Sequence, residues 1–329
     1  MTVEWDACGI GNALVDIVAG ADEALLEGLG LVKGAMELVD LERSEQLCRR
    51  CRPDSRCSGG SAANTMAVLA ALGGRAAYLG KVHDDELGRL FVEDMRRSGV
   101  EVLLEPAGDC PATGRCLVLV TADAERTMQT YLGASTTLDP DDIPGPQVES
   151  CRILYLEGYL YDPEPARRAM LRAARLARGA GRRVAVSLSD SFCVERHLEE
   201  FRRLVRGETD IVFGNEHEIR ALTGYDDLQR ALPEAGALCP LVVVTRGAEG
   251  TALVVEGKIE RVPAQPVERV VDTTGAGDSF AAGFLYGLSR DWPPQRCAEL
   301  GGAVAAEIIS RVGARPAGSL AWLLEGRGA

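Results

Sequence analysis

No stretch of this sequence approaches the run of about 18 apolar residues that a membrane-spanning helix requires, so a membrane partner is not expected. Clusters of positive charge are also missing. The formal net charge is −13 and no long Lys/Arg run occurs, which argues against nucleic acid, whose phosphate backbone is bound by grouped cations. The N-terminal Met-Thr-Val-Glu-Trp-Asp is acidic and lacks the basic start and apolar core of a signal peptide; the expectation is a cytoplasmic protein. Two well-known phosphate motifs are absent. There is no GxxxxGK[ST], and neither Gly9-Ile-Gly11-Asn-Ala-Leu14 nor Gly275-Ala-Gly277-Asp-Ser-Phe280 completes GxGxxG. The ten cysteines are scattered, with no disulfide framework. Cys48-Arg-Arg-Cys51 and Cys57 find no second CxxC or histidine pair to complete a zinc site, so reduced thiols are the simpler account.

What is present is ordinary for a globular protein: 329 residues, 46% hydrophobic and 26% charged, enough for one large α/β domain or two smaller ones. The most informative stretch is Asp272-Thr-Thr-Gly-Ala-Gly-Asp278-Ser-Phe280. A strand is expected just before it, over Glu268–Val271, and a helix from about Gly275–Asp278, since Phe280, Phe284, Leu285 and Leu288 recur at helical spacing. A glycine turn opening a helix offers unpaired N–H groups and the positive end of the helix dipole to a phosphate, and Gly275, Ala276 and Gly277 put no bulky side chain in its way. A carboxylate in that turn repels an anion. Asp278 makes sense there either as a helix cap or as a base for a hydroxyl attacking the phosphate.

A second glycine turn, Ser58-Gly-Gly60-Ser-Ala-Ala-Asn64-Thr65, runs into an apolar helix ending at Gly73-Gly74. Before it, the apolar segment Ala7–Val18 carries Asn12 and Asp16. A buried, unpartnered carboxylate is costly, so Asp16 belongs either at an exposed strand end or beside hydroxyl groups of a ligand. Thr113–Thr121 and Arg126–Leu132 frame the polar turn 122–125 as a β-hairpin. From there strands and helices alternate: 153–156, 165–179, 184–188, 194–206, 211–213, 216–223 and 241–245. This pattern predicts a mainly parallel sheet covered on both faces, in one domain, with the early β segments forming an accessory sheet. Ligands of such sheets bind beyond the strands' carboxyl ends. Asn215 and Glu218, Thr245-Arg-Gly247-Ala-Glu-Gly250 and Asp272–Asp278 all follow strands. Each alone reads as a turn or a cap; together, with carboxylates able to hold Mg²⁺ through water, they describe a nucleotide site.

On these residues the chain resembles the PfkB/ribokinase family of carbohydrate and nucleoside kinases over essentially its full length. Asp272–Phe280 resembles the family's C-terminal signature and Gly59-Gly60-Ser-Ala-Ala-Asn64 the N-terminal one. Asn215-Glu-His-Glu218 matches its NxxE motif, and Thr245–Gly250 its nucleotide loop. The resemblance implies a ribokinase-like α/β fold with a small β-sheet lid, drawn from discontinuous segments roughly within 12–58 and 110–133 of a single domain 1–329. It implies ATP and Mg²⁺ as cofactors. Asp278 would be the base, and the amides of Gly275, Ala276 and Gly277 the anion hole. Asn215 and Glu218 would order Mg²⁺ through water, and Thr245, Gly247 and Gly250 would line the nucleotide path. Asp16, Gly60 and Asn64 would hold the acceptor's vicinal hydroxyls. Arg126 would sit in the lid hairpin, either approaching the transferring phosphate or staying solvated. Asp272, Thr274 and the backbone near Gly313 stand where many members bind K⁺, although Ala317 replaces a frequent serine ligand. Gly80-Lys-Val-His83-Asp-Asp85 departs from the family's Gly-x-Val-Gly-x-Asp, and packing is the default for His83.

Within the family, Gly11-Asn12-Ala-Leu14-Val-Asp16-Ile resembles the adenosine kinase branch. Leu14 and Met36 would give a purine its apolar slot, unless they are simply core. The acceptor implied is a nucleoside, adenosine first, at its 5′-hydroxyl; the alternative is ribose, fructose or a related sugar acid. A catalytically silent nucleoside-binding relative is the reading from another class, and the intact Asp278 and NxxE argue against it. Monomer and homodimer both remain open.

Overall fold

The computed structural model describes residues 2–123 and 125–325; Ala124, in the expected hairpin turn, lies outside the described residues. The chain opens with β1 (Trp5–Ile10), β2 (Leu14–Gly20), α1 (Glu23–Leu29), β3 (Met36–Leu38), α2 (Leu41–Arg50) and β4 (Ser55–Gly59). Then come α3 (Ser61–Ala71), β5 (Ala76–Leu79), α4 (Glu86–Arg97), β6 (Val100–Val102), β7 (Gly114–Val120) and β8 (Arg126–Tyr131). The middle holds α5 (Gly145–Glu149), β9 (Cys151–Glu157), α6 (Glu164–Gly179), β10 (Arg183–Ser187), α7 (Ser191–Arg196) and α8 (Leu198–Glu208). The rest is β11 (Ile211–Asn215), α9 (Glu216–Thr223), α10 (Leu228–Leu238), β12 (Leu241–Thr245), β13 (Thr251–Val255), β14 (Lys258–Val262), α11 (Ala276–Leu288) and α12 (Pro294–Ile309).

Nine strands form the main sheet, in the order β14-β13-β12-β11-β10-β9-β1-β5-β6. All neighbours from β12 to β6 are parallel, while β13 and β14 are antiparallel. Successive strand residues face opposite sides, so each face has its own core. Tyr155, Ala185, Phe213 and Val243 pack with α3, α11 and α12 on one face. Leu154, Leu156, Val186 and Val244 pack with α6, α8, α9 and α10 on the other. Both faces being covered explains the continuous Val/Leu runs of β11 and β12. A second sheet, ordered β3-β8-β7-β2-β4, is built from the segments expected to form the lid. Helices α11 and α12 approach closely at a pair of glycines: a Cβ on Gly283 would stand 2.8 Å from the Cα of Gly301.

Three sequence expectations are corrected. Glu268–Val271 is not a strand; Val271 instead donates its N–H to the Ile309 carbonyl at the end of α12, 2.8 Å away, so a helix terminus rather than a sheet neighbour satisfies it. The apolar segment 7–18 is two strands. The chain leaves the main sheet at Ile10 and enters the lid at Leu14, which places Asn12 at the junction. The helix expected over 194–206 is broken at His197, between α7 and α8.

Candidate active site

Two adjoining cavities open at the carboxyl ends of the parallel strands. The larger, about 360 Å³, runs from Asp16, Gly60 and Asn64 past Asp278 to Asn215 and Glu218, with Met128 of the lid on its wall. The smaller, about 210 Å³, has mostly apolar walls that include Val267, Ala305 and Ile309, together with Gly247 and Gly250. Thr245, Ala276, Gly277 and Phe280 border both.

The two glycine turns face each other across the larger cavity. Gly60 has φ +98°, and a Cβ there would lie 2.1 Å from the Asn12 carbonyl oxygen; Gly275 has φ +73°, closed in by Ala314. Only glycine fits such positions, which bring the starts of α3 and α11 together. Asp278, in the first turn of α11, accepts a hydrogen bond from Ser61 Oγ (2.6 Å) and another from Asn64 Nδ2 (3.3 Å). Burial pushes its pKa up to about 6; the two hydrogen bonds and the charge of Arg315 oppose the rise. A carboxylate so poised is ionised at neutral pH and can take a proton. Of the three expected anion-hole amides, that of Ala276 donates to the Thr273 carbonyl (3.2 Å), so it is already engaged.

Asp16, half-buried on β2, is likewise raised to about 6 by burial, against the charges of Arg315 and Arg126 and with help from Asp278. No Lys or Arg lines this cavity among the described residues.

Asn12, Leu14 and Met36, expected to touch the acceptor, are not among the residues lining the cavity. Asn12 donates both its backbone N–H (3.1 Å) and its Nδ2 (2.8 Å) to Glu157 Oε1, while Ala62 N–H donates to Oε2 (2.8 Å). A buried carboxylate needs donors, and Asn12 serves that need at the core-to-lid junction. Burial takes the Glu157 pKa up to about 7, against those same bonds. Leu14 is 8% exposed and, two residues before Asp16 on β2, shares that residue's face of the strand, whereas Met36 is 46% exposed on its edge strand. Met36 pairs in register with Met128, one strand further in, and Met128 is the residue that reaches the cavity.

Asn215 and Glu218 form a reciprocal capping box at the start of α9. Asn215 Oδ1 accepts from the Glu218 N–H (3.0 Å), and Glu218 Oε2 accepts from the Asn215 N–H (3.0 Å). The cap reading is met, and both residues also line the cavity. Burial, and to a lesser extent Asp190, push Glu218 up to about 7, opposed by the Asn215 N–H; no cationic side chain pairs with it among the described residues. Such a carboxylate fits a divalent cation held through water.

Asp272 is different. Its Oδ1 accepts from the Thr274 N–H (3.0 Å), and Oδ2 accepts from the Gly313 N–H (2.7 Å) and from the Arg126 guanidinium. Burial raises its pKa, but these partners outweigh it and hold the group below the usual carboxylate value. Arg126 is thus ion-paired with Asp272 rather than solvated, and it bridges lid and core. With Arg126 on Asp272 and no hydroxyl at Ala317, a monovalent cation does not fit this carboxylate.

Sequence reasoning did not single out Arg315. It reaches back from the loop after α12 to donate from Nε to Asn64 Oδ1 (2.8 Å) and from Nη1 to Ser58 Oγ (2.6 Å). Ser61 and Glu157 were missed too. Each is joined to its partner across a long stretch of chain, and no local pattern signals such a contact.

Comparison with known proteins follows the same lines. The profile of the pfkB family carbohydrate kinases matches residues 30–320. The structure of adenosine kinase from Sinorhizobium meliloti superposes with a TM-score of 0.91 at 45% identity, covering 99% of this chain and 100% of that one. That of a probable sugar kinase from Rhizobium etli gives 0.92 at 42% identity, covering 99% of each chain. The 5-dehydro-2-deoxygluconokinase of Geobacillus kaustophilus is 28% identical over 77% of this chain and 78% of its own length.

Proposed function

Since the chain belongs to the pfkB family of carbohydrate kinases, and is an ATP-dependent phosphotransferase, we propose that its acceptor is a nucleoside, adenosine first, phosphorylated at the 5′-hydroxyl. The observation that carries this reading is the charge of the acceptor end. Asp16 and Asp278 face a cavity with no cationic side chain on its walls. A sugar acid would bring its carboxylate against two others, while the nearby Arg126 and Arg315 are engaged with Asp272 and Asn64 and do not line the cavity, a costly arrangement. A neutral molecule with vicinal hydroxyls meets the opposite situation, because Asp16 accepts and Asn64 donates. Met128 adds apolar surface suited to a base, and the likeness to the S. meliloti enzyme supports the same choice. A neutral sugar such as ribose or fructose is the second reading, favoured by the polar lining of Ser61, Ser187 and Ser189.

In this scheme the ATP base occupies the apolar cavity beside α12 and the phosphates run toward the start of α11. The acceptor hydroxyl lies beside Asp278, whose carboxylate takes its proton as the oxygen bonds to the γ-phosphorus. The bond from that phosphorus to the bridging oxygen breaks, and ADP leaves. The helix dipole and the unpaired first-turn amide of Gly277 stabilise the transferring group, so the protein's contribution is mainly alignment and charge. Glu218 and Asn215 would hold Mg²⁺ through water, and the ion when bound neutralises phosphate charge.

The test is a thermal-shift and ATP-turnover screen with adenosine, ribose, fructose and 5-dehydro-2-deoxygluconate. Stabilisation and turnover with adenosine are expected. Turnover confined to the sugar acid would overturn the proposal, and turnover confined to a neutral sugar would select the second reading.

A further inference from the structure

Asn64 is held between two groups of opposite hydrogen-bonding character. On one side Arg315 Nε donates to its Oδ1 (2.8 Å); on the other, its Nδ2 donates to Asp278 Oδ2 (3.3 Å). A guanidinium has five N–H donors and no acceptor, whereas an ionised carboxylate only accepts. The amide therefore has one stable orientation. Rotated by half a turn, its NH₂ would meet the guanidinium and its carbonyl would meet the carboxylate, both repulsive.

Arg315 is itself locked. Nη1 donates to Ser58 Oγ (2.6 Å), and the Ser58 hydroxyl donates in turn to Asp94 Oδ2 (2.6 Å), which also accepts the Ser58 N–H (2.8 Å). Nη2 lies against Met95 Sδ (3.6 Å). The side chain is only 17% exposed and reaches Asn64 across 251 residues of sequence. A chain of contacts thus runs from Asp94 on α4 through Ser58, Arg315 and Asn64 to Asp278. Arg315 is not among the residues lining the cavity; it meets the cavity wall through Asn64.

We propose that Arg315 is a positioning residue: it fixes the Asn64 amide with its NH₂ toward Asp278 and the acceptor hydroxyls, and so aligns base and acceptor. The inference rests on Asp278 and Asn64 acting in phosphoryl transfer, but not on which acceptor is used.

The test is a double-mutant cycle with Arg315→Met and Asn64→Ala, supplemented by Arg315→Lys and Arg315→Gln. Arg315→Met should lower kcat/KM for the acceptor by about 10–100-fold, the size of loss that misalignment near the chemistry produces, with the KM for ATP within about twofold of wild type. In the Asn64→Ala background the same change should add no more than about twofold, because the group it positions is gone. Lysine, which only donates, should restore more activity than glutamine, which can also accept and so leaves the amide free to turn. Independent losses that multiply, or glutamine restoring as well as lysine, would overturn the proposal. The Lys–Gln comparison stands even where the Met variant does not fold. A second readout needs no turnover: the Asn64 side-chain NH₂ pair in a ¹H–¹⁵N spectrum, assigned by its loss in Asn64→Ala. It should be shifted and slow to exchange in the wild type and the Lys variant, and solvent-like in the Gln variant. Unchanged NH₂ signals in the Gln variant would overturn the inference, whereas absence of turnover in the wild type with every acceptor would count against the kinase reading of the site alone.

Discussion

Arg126, the first residue of lid strand β8, is ion-paired with Asp272, in the loop that leads into α11, across 146 residues of sequence. The carboxylate also accepts the Gly313 and Thr274 N–H groups, so lid and core share one anion. Because the guanidinium supplies the positive charge here, replacing Na⁺ by K⁺ at constant ionic strength is expected to change kcat/KM by less than about twofold, within the effect of one weak, screened contact. Arg126→Ala should create a dependence on K⁺ that the wild type lacks. Strong K⁺ activation of the wild type would show that the pair opens during turnover.

Asp278→Asn separates chemistry from folding. Losing the base should reduce kcat by about 10²–10⁴-fold, while ATP affinity, measured by titration calorimetry, stays within about twofold. The Tm should be equal or higher, because a poorly solvated charge is removed while the side-chain contacts with Ser61 and Asn64 can persist. Undiminished turnover would remove Asp278 from the mechanism.

Activity and stability should respond to pH in opposite directions. Asp278, raised to about 6, must be ionised to act, so kcat/KM is expected to fall as pH drops through about 6. Asp16 is also raised to about 6, and Glu157 and Glu218 to about 7. A carboxylate with a raised folded-state pKa contributes stability that is complete below its unfolded value and lost as pH climbs through the folded one. Melting curves should therefore show a higher Tm at pH 6 than at pH 8, and a lower one would contradict these assignments.

Glu218→Gln distinguishes the helix cap from the metal ligand. Glutamine can still accept the Asn215 N–H through its carbonyl and loses only the bond from Asn215 Nδ2, so the Tm should fall slightly at most. The Mg²⁺ concentration for half-maximal rate should rise by about tenfold or more, as expected when a group organising a metal's surroundings is lost. Unaltered Mg²⁺ dependence would leave Glu218 with a capping role only.

Local chemistry was readable in the sequence and distant geometry was not. The glycine turns at Gly60 and Gly275 and the extents of α9 and β12 follow from spacing, caps and apolar runs within a few residues. Glu268–Val271 misled because two valines look like a strand wherever they occur, while the helix end that satisfies Val271 lies far along the chain. Leu14 and Met36 were reasonable candidates by composition. Which methionine of the lid reaches the cavity depends on the β3–β8 register, and a three-residue edge strand does not announce its register. Arg315 was invisible for the same reason: one arginine in a polar loop, given meaning only by partners more than two hundred residues away.

The glycine contact between α11 and α12 bears on how the enzyme can move. With Gly283 seated on Gly301, neither helix can slide or tilt without the other. One carries Asp278 and the other walls the apolar cavity through Ala305 and Ile309, so that carboxylate and that wall move as one piece. Under the proposed function, a stroke that brings the reactants together then falls to the five-stranded sheet. Substituting either glycine with leucine would be felt first as play between the two bound molecules.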